Sequence, residues 1–389
     1  MDLNRYRINW NYPTSIRVGA GRIRELPDAC RQLGMSAPLL VTDPGLAALS
    51  IIDRALLQCR DDGLKTGLFH GIKGNPTGQN VMDGVAAFKA GGHDGVIACG
   101  GGSALDAGKA IALMVGQDRP LWDFEDIGDN CNRVNVAGMA PVVAVPTTAG
   151  TGSEVGRAAV ITDDAAQIKR IIFHVRMLPA LVILDPELTI GLPAKLTAAT
   201  GMDALSHCLE AFCSPLFHPM AEGIALEGMR LVQQYLPRAV SHGADVEARL
   251  QMLVASSMGA TAFQRGLGAM HALAHPLGAL YDAHHGLLNA VLMPYVLLAN
   301  RASIEPQMEK MARYLNLPKP GFGGVLDWVL ALRSQLGIPH SLGEIGIDAK
   351  RIELVGRMAA VDPSAGTNPI AFSAEQYSQL FEQALRGEL

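Results

Sequence analysis

Short apolar segments alternate with helix-like segments in the first half of the chain, and this alternation restricts the possible folds most strongly. Apolar runs occur at 37–43, 94–103 and 140–148, and amphipathic stretches at 45–63 and 78–92 separate the first two runs. Such a pattern indicates a parallel sheet with helices on both faces. In these sheets, ligands bind beyond the carboxyl ends of the strands, where the strand order reverses.

The second half of the chain has a different character. After 181–193 it becomes rich in Ala, Leu and Met, and apolar residues recur at helical spacing through 194–212, 221–240, 246–263, 287–301 and 303–315. A chain of 389 residues is also long for a single core. We therefore predict an α/β domain over residues 1–186 and an all-α domain over 187–389.

The composition excludes several classes of protein. Hydrophobic residues make up 49% of the chain and charged residues 18%, which is typical of a compact globular protein. The net charge of −5, without clustered Lys and Arg, argues against a nucleic-acid partner. No run of roughly 18 apolar residues occurs, so no membrane span is expected. The N-terminus lacks a signal peptide's apolar core, which predicts a cytoplasmic protein. The six cysteines are scattered, as expected for reduced thiols.

Two polar turns follow predicted strands. The first, CGGGSALDAGKA at 99–110, opens a helix, and its glycines and the free N–H groups of the helix N-terminus could bind a phosphate. Gly100 and Gly102 fit the first two glycine positions of the dinucleotide fingerprint. Leu105 occupies the third glycine position of the dinucleotide fingerprint, so a purely structural turn is the alternative. The second, VPTTAGTGSEV at 145–155, suits a nucleotide's ribose or amide, although an ordinary hydroxyl-rich loop would look similar. Its hydroxyl residues are Thr147, Thr148, Thr151 and Ser153.

Asp43 ends the first apolar run. A carboxylate at this position can accept a hydrogen bond from the ribose 2′-hydroxyl of NAD and would repel the 2′-phosphate of NADP. The alternative is a helix N-cap or a turn aspartate before Pro44.

Histidines concentrate in one short stretch. Four of the 11 lie in GAMHALAHPLGALYDAHHG at 268–286. Two pairs spaced four apart would each share a helix face; they are Asp203 with His207 and His271 with His275. His284 and His285 are adjacent, and their spacing does not decide which one points inward. Three imidazoles and one carboxylate suit Fe²⁺ or Zn²⁺ and leave room for a substrate oxygen. Hydrogen-bonded core histidines are the alternative.

Together these motifs resemble the iron-dependent (group III) alcohol dehydrogenases. The resemblance runs from about Ser15 to the end of the chain and rests on NPT, GGGSALD, PTTAGTGSE, DPELTIGLP, GMDALSH and HALAHPLGALYDAHHG. It implies a dehydroquinate synthase-like architecture, in which an N-terminal dinucleotide-binding α/β domain and a C-terminal helical metal-binding domain flank a cleft that holds the site. It also implies a homodimer or larger oligomer.

The resemblance assigns roles to individual residues. The metal ligands would be Asp203, His207, His271 and His285, and His275 would be the catalytic proton relay beside the nicotinamide. The cofactor would be NAD, and the metal would be Fe²⁺ or possibly Zn²⁺. Together with the two polar turns, the resemblance predicts a cofactor site lined by Asp43, Asn75, Gly101, Gly102, Ser103, Asp106, Thr147, Thr148, Thr151 and Lys169.

Two features depart from many relatives. Ala104 replaces a proline that commonly follows GGGS, and Arg265 precedes the histidine-rich segment within AFQRGLGAMH. That version looks similar to members that act on 4-hydroxybutyrate. Because guanidinium binds carboxylate bidentately, we hypothesise that Arg265 holds an anionic substrate tail. A surface or helix-capping arginine is the alternative.

The predicted reaction is the reversible oxidation of a primary alcohol, possibly an ω-hydroxy acid such as 4-hydroxybutyrate, to its aldehyde with NAD. Four other functions stay open at the level of the sequence. They are a metal-free reductase resembling maleylacetate reductases, a zinc polyol dehydrogenase resembling glycerol dehydrogenase, a hydroxyacid–oxoacid transhydrogenase and a non-catalytic nucleotide-binding protein. The complete set of candidate metal ligands argues against the first.

Overall fold

The computed structural model describes residues 14–389, which form two compact units. The α/β unit comprises residues 14–148 and Gly152–Gly191. The helical unit comprises Ala149–Thr151 and Leu192–Leu389. The helical unit therefore begins slightly after the boundary predicted at residue 186, and it includes a short segment from the first half of the chain.

The α/β unit contains a parallel sheet and a separate hairpin. Its strands are β1 (Ser15–Val18), β2 (Pro38–Val41), β3 (Gly67–Phe69), β4 (Gly95–Gly100), β5 (Val142–Pro146), β6 (Ala158–Asp163), β7 (Ile168–Phe173) and β8 (Leu181–Leu184). Six of them pair in the order β1-β8-β5-β4-β2-β3, and all these pairs are parallel. Strands β2, β4, β5 and β8 are buried along their whole length, as expected where helices cover both faces. The three predicted strands are confirmed as β2, β4 and β5.

The antiparallel hairpin of β6 and β7 was not predicted from the sequence. Buried and half-buried residues alternate along β6, and β7 is mostly half-buried and carries Lys169 and Arg170. Neither strand therefore contains the continuous apolar run that reveals a core strand.

The helices and the strand order of the α/β unit together locate the predicted ligand crevice. They are α1 (Leu26–Gln32), α2 (Pro44–Ala47), α3 (Ser50–Asp61), α4 (Gly78–Ala90) and α5 (Gly102–Met114). From β2 the chain continues to β3, the neighbouring strand towards one edge of the sheet. From β4 it continues to β5, the neighbouring strand in the opposite direction. The strand order thus reverses between β2 and β4, where ligands bind in open α/β sheets. Asp43 and the Gly-rich turn follow these two strands.

The second unit is helical throughout its described length, as predicted. Its helices are α6 (Ala194–Cys213), α7 (Pro219–Ser241), α8 (Val246–Ala262), α9 (Ala269–Tyr281), α10 (His285–Tyr314), α11 (Gly321–Gln335), α12 (Ile352–Ala360) and α13 (Ala374–Arg386). The segments predicted at 287–301 and 303–315 join into the single helix α10, which continues through Pro294 and Pro306. By length and composition alone α10 could cross a membrane, but 67% of its most apolar stretch is buried inside the structure, as in a core helix.

Candidate metal centre and cofactor site

The four residues predicted to bind a metal lie together in the helical unit. One nitrogen or oxygen atom from each lies within 4.8 Å of those of the other three. Asp203 and His207 come from α6, His271 from the first turn of α9 and His285 from the first residue of α10. His285 is half-buried and the other three are buried.

Local structure explains why His285, and not His284, joins the cluster. The Nδ1 atom of the exposed His284 accepts the N–H of Leu287 at 3.3 Å, so that His284 is the N-cap of α10. His285 follows it as the first helical residue, and its Nε2 lies 3.7 Å from Asp203 Oδ1. The question that spacing alone left open is thus answered by the helix cap.

Gly286 allows α10 to approach α6 closely. A Cβ atom at this position would lie 2.5 Å from the Ala199 carbonyl oxygen and 3.0 Å from Asp203 Cβ. Only glycine fits at such a distance from another backbone. The His-Gly pair therefore places an imidazole beside Asp203 and removes the side chain that would push the two helices apart.

The side-chain nitrogen of Asn289 marks a point on which three of the four candidate ligand atoms converge. Asn289 Nδ2 lies 2.9 Å from Asp203 Oδ1, 3.1 Å from His271 Nε2 and 3.2 Å from His285 Nε2. Three electron-pair donors around one point fit a cation, and a mixed N/O donor set without thiolate fits Fe²⁺ or Zn²⁺. These residues therefore suit a divalent metal ion.

Two histidines of the cluster have shifted pKa values of opposite direction. Burial lowers the pKa of His207 to about 4, although Asp203 opposes the shift, so the imidazole is neutral and able to coordinate a metal. Burial also opposes protonation of His271, but the Glu210 carboxylate outweighs it and the pKa of His271 is raised. A proton and a metal ion would therefore compete for His271.

His275, the predicted proton relay, lies beside the cluster and not in it. Its ring stacks on that of His285 with centroids 5.5 Å apart, and its Nδ1 lies 2.8 Å from Asp362 Oδ2. Burial raises the pKa of Asp362, but the charge and hydrogen bond of His275 outweigh burial and lower it overall. Asp362 thus stays ionised and orients the His275 ring, which leaves Nε2 to exchange a proton.

The hypothesis that Arg265 binds an anionic substrate is wrong. This residue is 8% exposed, and its Nε and Nη1 atoms donate to the carbonyls of Leu216 and Phe212 at 2.7 and 3.1 Å. Nη1 also lies 3.4 Å from a Glu222 carboxylate oxygen. Arg265 therefore caps the C-terminal end of α6, where a cation complements the helix dipole.

In the α/β unit, the Gly-rich turn has the features of a phosphate site. Gly100 has a φ of +150°, and a Cβ there would lie 2.7 Å from Ala104 Cβ. Helix α5 begins with Gly101 as its N-cap, and no side chain caps it. Among the described residues, the buried hydroxyls of Thr42 and Thr147, which follow β2 and β5, have no hydrogen-bond partner. Uncapped N–H groups and unpaired hydroxyls at the strand ends fit a dinucleotide.

Other predicted cofactor residues have identifiable contacts. Asp43 Oδ1 accepts the N–H of Leu46 at 2.9 Å and caps α2, while its Oδ2 lies near Gly100. Ser103 donates to the carbonyl of Gly74, which places Asn75 next to the turn. These contacts bring Asp43, Asn75 and Ser103 to the same region of the α/β unit.

Three further predicted residues have different surroundings. Asp106 forms an ion pair with Lys109 at 3.1 Å and accepts the N–H of Val160 at 2.9 Å, so its carboxylate joins α5 to β6. Lys169 lies on β7 opposite Thr162 of β6, and Thr151 belongs to the short segment grouped with the helical unit. Cofactor contacts at Asp106, Lys169 and Thr151 stay predictions, as do those at Gly102 and Thr148.

Three residues near the cluster were not singled out from the sequence. Glu210 lies seven residues after Asp203 on the same face of α6, and Asn289 lies four residues after His285, so helical spacing could have suggested both. Asp362 is 87 residues from His275 in the chain, and no local pattern connects them.

Comparisons with known proteins identify the family of the chain. Residues 13–186 match the family model of iron-containing alcohol dehydrogenase, and residues 197–385 match that of the Fe-containing alcohol dehydrogenase family, C-terminal. The chain is 40% identical to a 4-hydroxybutyrate dehydrogenase of Cupriavidus necator over 96% of its own length and 99% of the relative. It is 34% identical to an NAD-dependent methanol dehydrogenase of Bacillus methanolicus, with 97% and 100% covered.

A solved structure is similar to this chain over nearly its whole length. The crystal structure of 1,3-propanediol oxidoreductase superimposes with a TM-score of 0.92 at 34% identity, and the match covers 97% of this chain and 100% of that one. The dehydroquinate synthase-like arrangement of a parallel-sheet domain followed by a helical domain agrees with this likeness. The chain belongs to the iron-containing alcohol dehydrogenase family.

Proposed function

We propose that this protein is a metal-dependent dehydrogenase that transfers a hydride between a primary alcohol, or its aldehyde, and NAD. The observation that carries the proposal is the convergence of four ligand atoms within 4.8 Å in the helical unit. The ligands are Asp203, His207, His271 and His285, and the metal is Fe²⁺ or Zn²⁺.

The metal and NAD supply one part of the chemistry, and the side chains of the protein supply the other. A metal held there supplies Lewis acidity that lowers the pKa of an alcohol hydroxyl, and NAD supplies the hydride acceptor. The side chains fix the positions of both and move the proton. His275, oriented through Nδ1 by Asp362 at 2.8 Å, takes the released proton at Nε2.

We propose NAD, and not NADP, as the cofactor because of Asp43. One of its carboxylate oxygens caps α2, and the other lies near Gly100 at the crevice between β2 and β4. A carboxylate at this place favours a ribose hydroxyl and repels a phosphate. We also propose that the protein works in the cytoplasm as a homodimer or larger oligomer, without a nucleic-acid or membrane partner.

An ω-hydroxy acid such as 4-hydroxybutyrate is our proposed substrate class. Its support is the 40% identity to a 4-hydroxybutyrate dehydrogenase over 96% of the chain. Because Arg265 is occupied in capping α6, another group would have to hold the substrate carboxylate.

The test combines metal analysis with assays on protein purified without oxygen. We expect about one iron or zinc per chain, loss of activity with a chelator, and NADH formation from short alcohols and ω-hydroxy acids. NADP should react more slowly than NAD. His271→Ala should lose metal and most activity, and full activity without metal would favour the metal-free reductase. Cofactor that stays bound through a cycle of hydroxyacid and oxoacid would favour the transhydrogenase.

A further inference from the structure

We infer that Glu210 is a positioning residue that couples the metal affinity of His271 to the start of helix α9. This inference rests on the proposed metal site. Glu210 is not among the four candidate ligands, and its carboxylate is 5% exposed. It lies on α6 one turn after His207, on the helix face that carries Asp203.

The two oxygens of Glu210 accept three hydrogen bonds from the first turn of α9. Oε2 accepts the N–H of Gly268 at 2.9 Å and lies 2.6 Å from His271 Nδ1, and Oε1 accepts the N–H of Met270 at 2.7 Å. The N-cap of α9 is Gly268, which has no side chain to cap the helix. Glu210 therefore replaces a local cap and places a negative charge at the positive end of the helix dipole.

The contact with His271 also determines which of its nitrogens can bind a metal. With Nδ1–H donating to Glu210, the lone pair is on Nε2, and Nε2 is the atom 3.1 Å from the convergence point at Asn289 Nδ2. A carboxylate on the far nitrogen fixes the imidazole tautomer and makes the ligand more basic. Together with Asp203, Glu210 also brings two negative charges to a site for a divalent cation.

An amide cannot perform this role, although it has nearly the same shape. Glutamine offers one acceptor oxygen and one NH₂ group, whereas the donors of α9 approach both positions. If the oxygen faces His271, the NH₂ group opposes the N–H of Met270. If the oxygen faces Met270, the NH₂ group opposes Nδ1–H and favours the other His271 tautomer. In that tautomer the proton is on Nε2, so Nε2 has no lone pair with which to bind a metal.

The test measures metal affinity independently of catalysis. Metal-free wild type, Glu210→Gln and Asn368→Ala are titrated with Co²⁺ and Zn²⁺ against a competing chelator, and the visible spectrum of the Co²⁺ forms is recorded. Asn368 is the matched control because its Oδ1 accepts the N–H of Ala269 at 3.0 Å in the same helix turn, without a hydrogen bond to His271. We expect Glu210→Gln to bind metal about 10- to 100-fold more weakly, with a shifted Co²⁺ spectrum. Asn368→Ala should lose thermal stability but keep wild-type affinity and spectrum.

The outcomes separate this inference from the proposed function. Wild type that binds neither metal would refute the metal site itself. Wild-type affinity in Glu210→Gln, or equal weakening in both variants, would show that Glu210 only orders the helix. If Glu210→Gln does not fold, Glu210→Asp is titrated, because it keeps both oxygens but withdraws them by one methylene group. Weaker binding in Glu210→Asp would support the inference, and unchanged binding would overturn it.

Discussion

At the scale of single residues, Gly286 determines how closely α10 can approach α6 at the candidate metal site. In Gly286→Ala the new methyl group would lie 2.5 Å from the Ala199 carbonyl oxygen. The first turn of α10 must then move, and His285 moves with it. We expect lower metal content, lower activity, and a loss of about 1–3 kcal/mol in the free energy of unfolding.

Gly223→Ala is the control for this substitution. Gly223 is an exposed residue of α7, and no atom beyond its chain neighbours and its own helix backbone lies within 4 Å of the position a Cβ would take. Alanine there should stabilise the protein by up to about 1 kcal/mol and leave metal content unchanged. Equal metal content in both variants would contradict the role of Gly286.

A second prediction at this scale concerns the stability and substrate preference of an Arg265 variant. Arg265→Ala removes the donors to Leu216 and Phe212, so we expect a loss of about 2 kcal/mol in unfolding free energy. The KM for ω-hydroxy acids, relative to that for neutral alcohols, should not change. Arg357→Ala is the comparison, because the side chain of that arginine is 62% exposed and pairs with the exposed Glu353, and it should cost under about 1 kcal/mol. A selective rise in KM for hydroxy acids in Arg265→Ala would restore the substrate-binding hypothesis.

At the scale of elements, Asp245 links the start of α8 to α7. Its carboxylate accepts the N–H of Ala248 at 2.9 Å and pairs with Arg238 at 2.8 Å. The backbone hydrogen bond from Ala248, followed by the bond from Arg238, lowers the pKa of Asp245. A lowered carboxyl pKa stabilises the fold above the pKa of the unfolded chain, about 3.9, and this contribution disappears as pH falls through the folded-state value.

We therefore expect Asp245→Ala to reduce the urea midpoint near pH 6. The difference from wild type should shrink as pH falls below about 4, because the unfolded chain then takes up a proton that the folded carboxylate, with its lowered pKa, does not yet bind. Urea unfolding of both proteins from pH 6 to pH 3 tests this. A difference that stays constant over that range would mean that the charge of Asp245 does not matter.

At the scale of the whole molecule, we expect metal binding and folding of the helical unit to be coupled. The candidate ligands come from α6, α9 and α10 and have no reason to converge in an unfolded chain, so a metal ion would bind the folded state. At about 100 times the Kd, the bound metal should add about 2.7 kcal/mol to the free energy of unfolding. A chelator should lower the thermal midpoint, and Zn²⁺ or Fe²⁺ should restore it.

Two controls make this thermal test specific. Mg²⁺ prefers oxygen ligands and an octahedral shell, so it should give no stabilisation. His271→Ala should show a much smaller gain from Zn²⁺ than wild type. An equal gain in this variant would place the stabilising metal elsewhere in the protein.

Much of this organisation can be read from the sequence by itself. Buried parallel strands appear as continuous apolar runs, and helices appear as apolar residues at helical spacing, so the α/β unit, the helical unit and the strands β2, β4 and β5 were predictable. The pair Asp203 and His207 was also predictable, because residues four apart on a helix always share a face. These features depend on neighbours within a few residues, and such short-range geometry is encoded directly in the order of amino acids.

Only the tertiary structure decided the rest. It showed that Glu210 contacts His271, that Asp362 orients His275 from 87 residues away, and that Arg265 is buried and caps α6. The hairpin β6–β7 also emerged only there. For the three side chains the physical reason is common: contacts between separate elements of the fold depend on how their faces pack. A buried charge can take any partner that packing brings within hydrogen-bond distance, and the spacing of residues along one helix does not specify that partner.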